Sequence, residues 1–158
     1  STENMMKRLN DTMPEEIQVL DIVELPDDAK PSMAIVTASD YYIYLNDEAV
    51  SDVFKELTPK LSDFYNENQI EILKKTKSKE VMTDIKPLIY DIKPYKDGIY
   101  MLLASGSRDN LKPELVILAL CEYAGISYNR YDYMIHRLET YMGDKDNLLP
   151  LSAAGKRF

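Results

Sequence analysis

IYMLLASGSRDNLKPELVILALCEYAG (Ile99–Gly125) joins two apolar runs through one polar loop, and the way those runs fold decides the architecture. The first run is short and follows Asp97–Gly98, a tight-turn pair, so IYMLLA reads as a central strand. The second is long enough for a helix. Pro113 stands near its first position, where a missing N–H costs nothing, and Gly125 stands where a left-handed residue closes the last turn. The stretch therefore predicts a sheet with a helix over Pro113–Ala124 laid across it.

Outward from this unit the same grammar continues. LIYDI (Leu88–Ile92) reads as a short strand between Pro87 and Pro94, each of which turns the chain and disfavours helix at the lysine before it. QIEILKKT (Gln69–Thr76) and VMTDI (Val81–Ile85) read as an antiparallel pair. NDEAVSDVFKELTPKLSDFYNEN (Asn46–Asn68) opens with capping residues and repeats Val50, Val53, Phe54, Leu57, Leu61 and Phe64 at helical spacing, with a kink expected at Pro59. MAIVTASDYYIYL (Met33–Leu45) predicts a long strand or two pieces with a bulge, EIQVLDIVEL (Glu16–Leu25) a half-buried strand, and TENMMKRLNDTM (Thr2–Met13) a short helix. SYNRYDYMIHRLETYM (Ser127–Met142) predicts another helix, and Leu148, Leu149 and Leu151 an apolar plug in the tail. This order predicts an α+β fold: an antiparallel or mixed sheet with packed helices, partly ferredoxin-like, over residues 1–158 as a single domain.

Composition narrows the function classes. An apolar content of 45% and a charged content of 29% in 158 residues suit a globular domain with a real core. No apolar run approaches the roughly 20 residues of a membrane span, and no secretory leader is visible, so no membrane partner is expected. Cys121, the only cysteine, lies in an apolar helical pattern and reads as a packing residue; a reducing, cytoplasmic setting is the plain expectation. With a single histidine, His136, the chain offers too few ligands for a zinc site, and no metal or cofactor is expected. His136 itself reads as a helix-surface or interface residue.

Charge is unevenly placed within the net of −8. Residues 1–70 carry 5 basic and 15 acidic side chains, whereas residues 71–158 carry 14 basic and 12 acidic. The overall sign argues against wholesale wrapping by nucleic acid but leaves room for one basic face. Lys74, Lys75, Lys77 and Lys79 form that candidate face, as RNA contacts or as a solvated, protected edge. The YYIY and YNRYDY tyrosines could stack on exposed bases or simply pack.

Nucleotide-loop, zinc-protease and nucleophile-elbow motifs are missing. Gly106, Ser107 and Arg108 lie between a strand and a helix, as in anion loops, yet Asp109 opposes phosphate there, and a polar capping loop is the alternative. DIKP occurs at Asp84–Pro87 and again at Asp91–Pro94. Asp84 reads either as a turn brace or as a group that orients substrate or moves a proton.

LND–MPEEIQVLD, ELPDDAKPSMAIVTASDYYIYL, VMTDIKPLI, SGSRDNLKPELVILAL and IHRLETY together resemble successive motifs of the radical-SAM-linked protein family, a domain of unknown function. The resemblance implies the carboxyl-terminal part of a larger family domain, with residues 1–25 completing an upstream unit. TDIKP (Thr83–Pro87) stands where the family usually reads close to VDIRP, so Lys86 keeps the charge but not the bidentate fork of arginine. Asn110, Leu111, Lys112 and Pro113 carry the family's loop pattern; His136 and Arg137 carry IHR. The second DIKP is a local echo.

The resemblance implies an accessory or interaction domain for a radical SAM protein. The chain is not itself such an enzyme, because Cys121 alone cannot supply an iron–sulfur cluster's cysteines. Two alternatives accompany this expectation: an RNA-binding domain, or half of an enzyme site completed from upstream. For the last, Asp84, Lys86, Arg108, Asn110 and Lys112 form the candidate ligand or partner surface, with Lys86 and Arg108 for an anionic group and Asn110 for a cap or substrate hydrogen bond.

Overall fold

The computed structural model describes residues 1–46, 52–75 and 77–158. The chain opens with helix α1 (Thr2–Asn10) and, after an irregular arm, a helical turn α2 (Ser32–Ile35) that leads into strand β1 (Val36–Leu45). Helices α3 (Phe54–Leu57) and α4 (Leu61–Asn66) follow, then a hairpin of β2 (Glu71–Lys75) and β3 (Glu80–Asp84). Strands β4 (Ile89–Tyr95) and β5 (Gly98–Ala104), helix α5 (Pro113–Ala124), and strands β6 (Tyr133–Asp144) and β7 (Asn147–Pro150) complete it.

The main sheet runs β4-β5-β1-β6-β7 and every pairing in it is antiparallel. Without the β2–β3 hairpin and β7, the order strand, helix, strand, strand, helix, strand with β1 and β5 side by side in the middle is the ferredoxin-like arrangement. The α+β fold read from the sequence is therefore the observed one. IYMLLA is an interior strand, flanked by β4 and β1, although β1 holds the middle of the sheet.

Period-two alternation gives the sheet two different faces. Tyr41 and Ile43 on β1, Ile99, Met101 and Leu103 on β5, and Ile92 on β4 are buried with Phe54, Leu57, Leu61, Phe64, Val116, Ile117 and Leu120 of the helices. Each such side chain contributes roughly 1.5–3 kcal/mol by leaving water. The proline between α3 and α4 acts as expected: Thr58–Lys60 tighten into a 3-10 turn, and Leu57, Leu61 and Phe64 all stay inward across it. The expected start of that helix, at Asp47 and Val50, lies outside the described residues. Gly125 closes α5 at φ 71°, and its amide donates back to the helix.

Three local expectations are corrected. Residues 133–144 form strand β6 rather than a helix, although a 3-10 turn at Arg130–Asp132 precedes it. Tyr131, Ile135, Leu138 and Met142 mimic helical spacing, but Tyr133, Ile135 and Arg137 alternate, and β1 presents an open edge that only an extended chain can satisfy. Residues 16–25 make no ladder; only Glu24 bridges Lys156. Asn10 instead clamps the arm, its side-chain amide bonding both the N–H and the C=O of Val19. Met33 to Ile35 coil after Pro31 instead of extending. The tail's expected plug is partial: Leu148 and Leu151 are half-buried, whereas Leu149 is 46% exposed.

Gly98 sets how closely β5 approaches β1. A Cβ there would collide with the Ile43 carbonyl oxygen. Gly98→Ala is expected to lower unfolding free energy by about 1–3 kcal/mol, measured by urea denaturation; an unchanged midpoint would mean that the two strands lie farther apart.

Candidate functional site

Of the residues singled out from the sequence, Arg108 lines one depression and Asn110 and Lys112 another, while Asp84 and Lys86 line neither. Asp84 ends β3, and its Oδ1 accepts from the backbone N–H groups of Ile70 and Lys86, each at 3.0 Å. It thus staples the hairpin's base to the turn that follows. Lys86 is half-buried: its ammonium donates to the Tyr65 carbonyl and lies 3.6 Å from the Tyr65 ring centroid. Burial, with Lys145 nearby, pulls the Lys86 ammonium below its ordinary range, and Asp84 partly opposes this. The Tyr65 hydroxyl donates in turn to the Tyr90 carbonyl at 2.8 Å.

Arg108 is exposed on the β5–α5 loop and helps line a depression of about 270 Å³ with Thr37, Tyr90, Ser107 and Asp109. Asn110 and Lys112 come together in a second depression, about 470 Å³, at the start of α5, with Tyr41, Glu114, Ile135 and Arg137. Lys112 makes no side-chain cap on α5, and Pro113 removes one donor that would have needed it. The loop is anchored through its backbone, Leu111 donating to Ala104 and Ser105 to Thr37.

Lys74, Lys75, Lys77 and Lys79 are exposed on the β2–β3 hairpin, where Lys75 pairs with Glu80 at 3.2 Å. Ile72 anchors that hairpin to the core, while Leu73, Val81 and Met82 are about half exposed beside the lysines. His136 is exposed on β6, opposite Tyr42, and so belongs to a strand rather than a helix surface. Cys121 is buried and meets the Tyr133 hydroxyl at 3.3 Å; burial pushes its thiol up, away from reactivity.

The YYIY tyrosines, which the sequence offers as base-stacking or packing residues, join partners from two other strands in a cluster on the sheet face opposite the helices. The registers put Asp40, Tyr42 and Tyr44 of β1 on one side with Tyr100 and Leu102 of β5 and Asp91, Lys93 and Tyr95 of β4. Tyr42 stacks on Tyr44 with centroids 4.9 Å apart and meets Tyr95 edge-on at 5.3 Å; Tyr95 meets Tyr100 at 6.1 Å. Asp40 is 6% exposed beneath them. Its Oδ1 accepts from the Glu139 amide at 2.8 Å, and its Oδ2 accepts from Tyr141 at 2.9 Å and Tyr100 at 3.1 Å. The alternation in YYIY was the available signal: Ile43 inside forces both neighbouring tyrosines to the other face.

A third surface lies where the amino-terminal arm meets the tail. An apolar groove of about 490 Å³ runs between Val23, Leu25, Pro26, Ala29 and Ile35 on one side and Leu151 and Ala154 on the other. Arg157 closes its neighbourhood with a bidentate pair to Asp21, at 3.0 and 2.9 Å. Among the described residues no three His, Cys, Asp or Glu side chains come together to hold a metal, and no helix is long and apolar enough to cross a membrane.

Fold and surface together define an α+β domain of ferredoxin-like core, one sheet face closed by helices and the other open and aromatic. Residues 1–113 match the family described as "Uncharacterized protein conserved in bacteria (DUF2344)", and the chain belongs to that family. No curated protein and no solved structure matches the chain.

The tyrosine network carries a pH prediction. The hydrogen bond to Asp97 raises the Tyr42 hydroxyl from 10.0 to about 12, and burial with the Asp40 bond raises Tyr141 to about 12. The folded state therefore holds these protons more tightly than the unfolded chain does. Their contribution to stability is complete below the unfolded value near 10.0 and is lost as pH rises through about 12. Tyrosinate absorbance should show late-titrating hydroxyls, and Asp97→Asn should bring one of them back toward the ordinary range without moving the other.

Proposed function

We propose that this chain is an accessory interaction domain that works with a radical SAM protein, docking through its amino-terminal arm and tail. The observation that carries it is the apolar surface left on residues 1–35. Leu20 is 85% exposed, Met33 79% and Ile17 55%, with Met5 and Leu25 at 47%. Scattered apolar residues are ordinary on a surface, but this stretch of chain also supplies Val23, Leu25, Pro26, Ala29 and Ile35 to an apolar groove, and exposed apolar surface of that extent supports an interaction site. The kind of partner is supported by the likeness of the ordered motifs to the radical-SAM-linked family. With the partner folded and its cluster reconstituted, calorimetric titration should give a measurable complex. Leu20→Glu with Met33→Glu should weaken it at least tenfold; a wild-type protein that does not bind would sink the proposal.

A second reading is RNA binding through Lys74, Lys75, Lys77 and Lys79, favoured by their exposure together on one protruding hairpin. Ammonium groups there would position phosphates without reading sequence. Changing Lys74, Lys75 and Lys77 to glutamate should weaken RNA binding and flatten its salt dependence. Binding unaltered by all three changes would make the hairpin a solvated edge.

A further inference from the structure

We infer that the open face of the main sheet is a binding platform for unpaired RNA bases, built from Tyr42, Tyr44, Tyr95 and Tyr100. This shares a ligand class with the hairpin reading but stands on other residues, so the two fail separately.

Four half-buried rings on three adjacent strands lie on a face that the helices do not cover. Tyr41, by contrast, lies in the core on the helix side, to which none of the four rings belongs. Every base has a π-face, so a row of rings binds single strands without requiring a particular sequence, and a sheet is a rigid mount for it.

The second observation is where the cations stand. Lys93 lies 4.7 Å from the Tyr100 centroid, and Lys96 lies 5.3 Å from Tyr42 and 5.2 Å from Tyr95. Each ammonium lies over a ring face; a base that displaced it from that face would keep it within reach of its own phosphate. Lys96 is also held at φ 51° in the β4–β5 turn, a left-handed conformation in which glycine would be cheaper. The turn tolerates that conformation with a lysine whose ammonium reaches two rings of the platform. Acidic groups share the face: Asp91 pairs with Lys93 at 2.9 Å, Asp97 accepts from Tyr42, and Asp40 is buried under two hydroxyls. Duplex RNA, which offers phosphates but no free base faces, is therefore a poor ligand for this surface.

The test uses the 158-residue chain with short labelled oligoadenylate and oligouridylate, read by fluorescence anisotropy at low salt. Both should bind, and duplex RNA of the same length should bind more weakly. Tyr44→Ala with Tyr95→Ala should cost on the order of tenfold per ring, whereas Tyr44→Phe with Tyr95→Phe should retain affinity. Lys96→Gly separates function from packing: it should weaken binding about tenfold for a lost phosphate contact while leaving thermal stability unchanged or raised. On the unaltered chain, 4-thiouridine photo-crosslinks should map to residues 36–45 and 89–104 rather than to the hairpin. Failure of both oligonucleotides to bind overturns the inference. So does binding that disappears with the hairpin lysines but ignores the tyrosines, or a preference for duplex.

Discussion

One buried carboxylate holds the sheet together across three strands. Asp40 sits in the middle strand, and all its described acceptor contacts reach outward: to Tyr100 on β5, and to Tyr141 and the Glu139 amide on β6. The β1–β6 register shifts between Asp40 and Tyr41, so that Leu138 is the extra residue of a bulge. A bulge leaves a ladder amide without its usual partner, and at Glu139 the Asp40 side chain supplies one. Charge-assisted bonds of this kind are roughly twice as strong as neutral ones, and a buried carboxylate needs them. Removing the carboxylate would strand an amide and two hydroxyls at once, which ties the course of β6 to a single side chain on β1.

From that tie follows the difference between the two faces. β6 curls with its bulge, bringing Tyr141 over Asp40, while the opposite face is filled by Ile43, Met101 and the helices. Stability therefore resides on the helix side, where the side chains are large, apolar and almost wholly enclosed. The tyrosine side contributes polar ties at its base and leaves ring surface above them. Rings such as Tyr44 and Tyr95 can therefore be replaced at little expense to the core, because the aromatic contacts they make are with rings of the same face.

What the sequence made legible was local. Helix α5 was readable to the residue because Pro113 and Gly125 punctuate an apolar run, and the kink at Pro59 follows from proline chemistry alone. Strand β6 was not readable. Its residues satisfy helical and extended periods equally well, and the deciding term was an unpaired edge of β1 nearly a hundred positions away. The same limit hid how the YYIY tyrosines meet Tyr95 and Tyr100, an arrangement assembled by register across three strands, and what Asp84 and Arg108 each contact. Both stand on sequence motifs, yet one braces a hairpin and the other lies on a loop beside Tyr90. Motif proximity on the chain carries no information about which way a side chain is spent.

The net charge of −8 looks hostile to a polyanion, and for a groove that grips phosphates it would be. The geometry of the open face changes the terms. Stacking is a short-range interaction of neutral surfaces, so that part of binding does not weaken with net charge or added salt, although the phosphate contacts beside it do. On the proposed platform, acidic residues near the rings would discourage duplex backbones, whose phosphates approach as a dense rod, more than a flexible strand that can lay down a base and turn its phosphates toward Lys93 and Lys96. If the open face is such a platform, its acidic surroundings would lower affinity for every strand but raise discrimination against duplexes, whereas a uniformly basic domain would bind any nucleic acid it met.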